Sequence, residues 1–275
     1  LDLSHGRILG EGGMGRVTSI MHILLQGNLA VKRPRTEIAS GGDPTDQTRC
    51  HLFNAMLYYE AWITHMLQGI GIASVQQIYK DKENNMVMVA PLLTGRTLED
   101  ILGDRFRTFA RNATEPEQNL VGGLLFFAKI LEPFEAAHGR GIAHADIKPA
   151  QIMVTDKDDI WVLDWGLAHR GRQAVDIRIV HFPGAPEMIL PVIGEQVRGT
   201  PVYMSPEHAQ GLLEVTPPSD VYALSLMLYE FLTGVNPLQY EGGADVRNIF
   251  RLVHNGYTPQ HKPSEHPKRQ AVFQI

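Results

Sequence analysis

The chain has 275 residues, 44% of them hydrophobic and 20% charged, with a formal net charge of −5 at pH 7. That length holds one large domain or two lobes sharing a cleft. The mild negative charge excludes the basic footprint of a nucleic-acid binder, and the absence of 18 consecutive apolar residues excludes a membrane segment within this sequence. A single cysteine, Cys50, excludes an internal disulfide framework and fits a reducing compartment, so a cytoplasmic location is expected. The sequence opens at Leu1 without a signal-peptide pattern. It is expected to be a piece of a longer protein, whose membrane anchor, if it has one, lies outside this chain.

The first third reads as strands. Arg7 to Leu9 leads into a glycine cluster, and Val17 to His22 and Leu29 to Lys32 are predicted strands either side of a turn at Gln26–Asn28. A polar loop from Ala39 to Thr48 precedes a helix expected over Arg49 to Gln68. Val75 to Lys80 and Met86 to Ala90 form a predicted hairpin. From Thr97 the pattern turns helical. A long helix is expected over Leu120 to Arg140, stopped by Gly141. Short strands at Gln151 to Val154 and Ile160 to Leu163 follow, then an aperiodic stretch up to Gly199, and an apolar helix over Asp220 to Thr233. Strands first and helices later predict an α+β chain with a small sheet lobe and a larger helical lobe.

Gly10-Glu11-Gly12-Gly13-Met14-Gly15-Arg16-Val17 carries three glycines in the spacing G-x-G-x-x-G. Glycines let backbone N–H groups approach phosphates closely. A dinucleotide fold wants a helix directly after this motif; the strand that follows here favours a flap over phosphates. Lys32 ends an apolar strand, either as a solvated strand end or as a cation reaching phosphates and held by a carboxylate; Glu60, among apolar neighbours in a helix, is either solvated or that partner. His144-Ala145-Asp146-Ile147-Lys148-Pro149-Ala150-Gln151 offers an aspartate to deprotonate a hydroxyl and a lysine to steady a phosphoryl group. Asp164-Trp165-Gly166 follows a hydrophobic strand, and Asp164 suits a hard divalent cation. Taken singly, each aspartate is equally a turn or cap residue.

Together these segments, with Gly199 to Glu207 and Ser219 to Leu224, resemble the eukaryotic-like serine/threonine protein kinases, especially their bacterial branch, from about Ile8 to Tyr240. The resemblance implies a bilobal fold, residues 1–93 as N-lobe and 94–275 as C-lobe, with ATP and Mg2+ in the cleft. It implies that Gly10, Gly12 and Gly15 cover phosphates, that Lys32 pairs with Glu60, that Asp146 is the base with Lys148 beside it, and that Asp164 and Gln151 hold metal. Val17, Ala30 and Met153 would sandwich adenine. Ala90 would be an unusually small gatekeeper before a hinge whose residues Pro91, Leu92 and Leu93 meet the nucleotide. Asp220 would brace the catalytic loop, and Lys148 with Thr200 is similar to the serine/threonine pattern.

Four departures qualify the resemblance. Ala145 stands where the family has arginine, which removes docking of a phosphorylated loop on that residue. Gln151 replaces asparagine, putting a second metal in doubt. Trp165 replaces phenylalanine. The segment from Asp164 to Glu207 is long, with an apolar insert near Val180 to Ile193. The family's last helices cannot be placed after Tyr257. The expected function is transfer of the ATP γ-phosphoryl group to protein Ser/Thr hydroxyls. The alternative is a pseudokinase that binds nucleotide or acts as a scaffold. A small-molecule kinase fits less well, because Gly199 to Glu207 is a peptide-docking pattern.

Overall fold

A computed structural model describes residues 6–11, 15–22, 27–35, 44–69, 71–109, 116–170, 199–210, 215–243 and 245–257. The described residues fall into two compact units. The first runs to Thr94 and takes in three later residues, Asp164–Gly166; the second begins at Gly95.

The first unit is an antiparallel five-stranded sheet with one helix. Its strands are β1 (Arg7–Glu11), β2 (Gly15–His22), β3 (Gly27–Pro34), β4 (Gln77–Lys80) and β5 (Met86–Pro91), in the order β1-β2-β3-β5-β4. Alternation sorts their side chains. Ile20, Leu29, Val31, Val87 and Val89 make one apolar cluster. Their neighbours of opposite parity face the other way, where Met86 and Met88 pack with Phe53, Leu57 and Ala61 of helix α1 (Pro44–Met66). Gly15 lies under this helix: a Cβ there would collide with the Phe53 ring, so any larger residue opening β2 would have to displace that ring.

Helix α1 starts several residues before the predicted Arg49, within the expected polar loop. Pro44 explains why: proline is well tolerated in a first helical turn, where its missing N–H has no partner to lose.

The second unit is mainly helical. It contains β6 (Gly95–Thr97), α2 (Leu98–Phe109), α3 (Pro116–His138), β7 (Ile142–Ala143), a 3₁₀ turn at Pro149–Gln151, β8 (Ile152–Thr155), β9 (Ile160–Val162) and β10 (His169–Arg170). A second 3₁₀ turn (Pro201–Tyr203) precedes α4 (Pro206–Ala209), α5 (Pro217–Thr233), α6 (Pro237–Gly242) and α7 (Val246–His254). In α3, Phe127, Ile130, Phe134 and Ala137 are buried at helical spacing. Phe127 packs on Phe231 of α5 with ring centroids 5.7 Å apart. α3 ends at His138, and Gly141 follows in the left-handed region at φ 69°. α5 starts earlier than predicted because Thr216 and Ser219 form a capping box ahead of Asp220. Gln151 closes the 3₁₀ turn instead of opening β8. No helix among the described residues is long and apolar enough to cross a membrane. The apolar insert near 180–193 and the tail after Tyr257 lie outside the described residues.

Candidate active site

Two constellations of polar side chains stand out, one in each unit. In the first, Lys32 projects from β3. Its Nζ donates to Glu60 Oε2 at 2.8 Å and to Asp164 Oδ1 at 2.9 Å. Glu60 comes from the middle of α1 and is 5% exposed; the Asp164 side chain is 45% exposed. Burial works against a charge on Lys32, but Glu60 and then Asp164 outweigh it and hold its pKa above the ordinary lysine value. Burial pushes the Glu60 carboxyl up against the pull of Lys32. Lys32 therefore remains a cation held between two carboxylates. Asp164 sits at φ 58°, an unusual conformation for an aspartate. Trp165 beside it is 1% exposed.

Sheet register gathers further expected residues on the Lys32 face. Val17 pairs directly with Lys32 across β2–β3, and Ala30 pairs with Ala90 across β3–β5. Residues two apart on a strand share a face, so Val17, Ala30, Lys32, Met88 and Ala90 line one side of the sheet. Gly10 pairs with Val17 across β1–β2; Gly12 lies outside the described residues. Beyond β5, the Leu92 N–H donates to Asn28 O at 3.3 Å, so among the expected hinge residues this donor is already engaged.

The second constellation is the loop between β7 and β8. Asp146 accepts two bonds: from Thr200 Oγ1 to Oδ1 at 2.8 Å and from Lys148 Nζ to Oδ2 at 2.7 Å. Lys148 Nζ also donates to Thr200 Oγ1 at 3.0 Å, closing a triangle. Behind it, buried Asp220 accepts the His144 N–H at 2.7 Å, the Ala145 N–H at 3.0 Å and a bond from His138 Nε2 at 2.8 Å. His144 is fully buried. Its Nδ1 accepts the Asp146 N–H at 3.3 Å, which leaves its proton on Nε2 for the Leu163 carbonyl, 3.0 Å away. Met153 pairs with Thr97 and Trp161 in the β6-β8-β9 sheet. Gln151 donates its N–H to Lys148 O and accepts from the Leu163 N–H, both at 2.9 Å.

Several participants were not legible beforehand. The Tyr203 hydroxyl donates to the Glu230 carboxylate on α5, and Asn236 Nδ2 donates to Val202 O at 3.1 Å. Together they fix the turn after Thr200. Burial, and then Glu230, push the Tyr203 hydroxyl pKa up. Glu230 was the available signal, a lone carboxylate near the end of an apolar helix. His138 gave none: it looks like an ordinary basic residue at a helix C-terminus.

Residues 3–271 match the protein kinase domain family, and the chain belongs to that family. Over 244 residues it is 30% identical to "Serine/threonine-protein kinase PknD" of Chlamydia abortus, covering 87% of this chain and 25% of that protein. It is 29% identical over 244 residues to "Serine/threonine-protein kinase PknA" of Mycobacterium tuberculosis, covering 87% of this chain and 48% of that protein. The match thus spans a quarter to a half of the relatives' length.

Proposed function

We propose that this chain is a serine/threonine protein kinase domain that moves the γ-phosphoryl group of ATP to a protein hydroxyl. The observation that carries the reading is the Asp146–Lys148–Thr200 triangle, in which an aspartate held by a cation already accepts a hydrogen bond from a threonine hydroxyl. An incoming Ser or Thr hydroxyl would use Asp146 in the same way. Its oxygen attacks the γ-phosphorus and its proton passes to Asp146. The bond to the β,γ-bridging oxygen breaks, and its electron pair leaves with ADP. Lys148 steadies the transferred group. Lys32, kept cationic and aimed by Glu60, binds the α- and β-phosphates.

Asp164 suits Mg2+. Its carboxylate is a hard oxygen donor on a half-exposed side chain, and Mg2+ characteristically takes one or two carboxylates and completes its shell with phosphates and water. When bound, Mg2+ would neutralise charge developing on the phosphates. Gln151 offers an amide oxygen for a second ion. Val17, Ala30 and Met153 would contact adenine, and Pro91 and Leu93 its polar edge.

The test is phosphate transfer from Mg-ATP to the chain itself and to a generic basic protein, with Asp146→Asn as control. Transfer that disappears in the control supports the kinase. Nucleotide binding without any transfer overturns it in favour of a pseudokinase, the reading to which Ala145 and Gln151 lend weight.

A further inference from the structure

Helix α1 has to present Glu60 to Lys32, and the apolar contacts beneath it set which face turns inward without fixing its rotation finely. Phe53, Leu57 and Ala61 pack on Met86 and Met88, and hydrophobic contact is non-directional. Thioethers adapt readily to a helix that rolls or slides. Hydrogen bonds are directional, and one network joins the N-terminal half of α1 to the β4–β5 turn. Asn54 Oδ1 accepts the Met86 N–H at 2.8 Å. Asn54 Nδ2 points to Cys50 Sγ at 3.8 Å, and Cys50 Sγ donates to Asn85 Oδ1 at 3.0 Å. Asn85 is anchored in turn to Asp81, whose Oδ1 accepts the Asn85 N–H at 2.8 Å and whose Oδ2 lies 3.4 Å from Asn85 Nδ2. Cys50 and Asn85 are 8% and 6% exposed, so the bond between them forms away from water.

The same strand carries both ends of the constraint. Pairing between β3 and β5 stops at Lys32↔Met88. Two residues further along β5, the Met86 N–H is taken by Asn54. Lys32 and the Asn54 anchor are therefore in fixed register on adjacent strands. Asn54 and Glu60 are six residues apart on one rigid helix, about 9 Å along its axis. We propose that Asn54, with Cys50 and Asn85, is a positioning residue that keys the rotation and height of α1 on β5 and so holds Glu60 on Lys32. In its catalytic consequence this rests on the kinase reading above. The contact itself does not.

The test is a double-mutant cycle in the full chain: wild type, Asn54→Leu, Glu60→Gln and the double variant, with Asn54→Asp as the conservative substitution that keeps an acceptor for the Met86 N–H. Asn54→Leu is expected to lower kcat/KM by about ten-fold, Asn54→Asp to recover most of it, and Asn54→Leu to add little once Glu60 is already Gln. A purely structural Asn54 gives losses that multiply independently in the double variant, and that result overturns the proposal. The thermal midpoints of the same four proteins, measured without nucleotide, give a readout free of catalysis: non-additive shifts support the coupling and additive shifts overturn it. A wild type that transfers no phosphate defeats the kinase reading alone, and the midpoints then decide this one.

Discussion

Asp220 Oδ1 accepts the backbone N–H of Ala145 at 3.0 Å and holds that alanine at φ 67°, in the left-handed region. The loop between β7 and β8 is thus shaped from beneath by one buried carboxylate on α5, which also takes the His144 N–H and His138 Nε2. Replacing Asp220 with alanine strands two buried N–H groups at about 1–3 kcal/mol each. A total loss of roughly 2–6 kcal/mol is expected in urea unfolding. Ala145→Gly should be no less stable than wild type, since relief of about 1–2 kcal/mol of left-handed strain offsets the greater freedom of the unfolded glycine.

Thr200 restrains Asp146 and Lys148 together. Thr200→Val keeps the shape and removes both bonds. Steady-state phosphorylation assays should show kcat falling by roughly 10- to 100-fold with the KM for ATP little changed, since the loss is one of orientation at the reacting hydroxyl. Thr200→Ser should retain most of the activity. A Thr200→Val chain of normal kcat would remove Thr200 from the catalytic apparatus.

Glu207 carries a pH dependence. Burial would raise its carboxyl, but hydrogen bonds led by the one from the Ser219 hydroxyl outweigh burial and hold it below the ordinary glutamate value. A folded pKa below the unfolded one contributes stability that is complete above the unfolded value and disappears as pH falls through the folded value. Wild type should therefore exceed Glu207→Gln in urea midpoint near pH 7. The gap should close as the pH drops below about 4.3, the ordinary glutamate value. A gap that widens in acid would reverse the sign assigned to this group.

Ala30 and Ala90 pair across adjacent strands on the Lys32 face. Two methyl side chains at a directly opposed position leave room that larger residues would fill. If adenine docks there, an ATP analogue carrying a bulky N6 substituent should serve as phosphate donor. Ala90→Met should lose at least ten-fold in kcat/KM for that analogue relative to ATP. Equal use of both donors by the variant would place Ala90 away from the nucleotide.

Much of this protein was legible in its sequence. The glycine cluster, Lys32, Asp146-Ile147-Lys148, Asp164-Trp165-Gly166 and the apolar helix bearing Asp220 are local patterns. Alternation and helical period locate their elements, because a strand repeats every two residues and a helix every 3.6. Helix starts were misread where capping chemistry, at Pro44 and Thr216, outran the hydrophobic pattern. What only the tertiary structure decided are contacts between residues far apart in the chain: Lys32 with Asp164, Asp146 with Thr200, His138 with Asp220, Tyr203 with Glu230, and Asn54 with the Met86 N–H. Each joins a directional polar group to a partner whose position depends on how helices and strands pack. No period or spacing records that position, because it is set by the non-local burial of apolar faces and fixed by the hydrogen bonds that the resulting buried polar groups require.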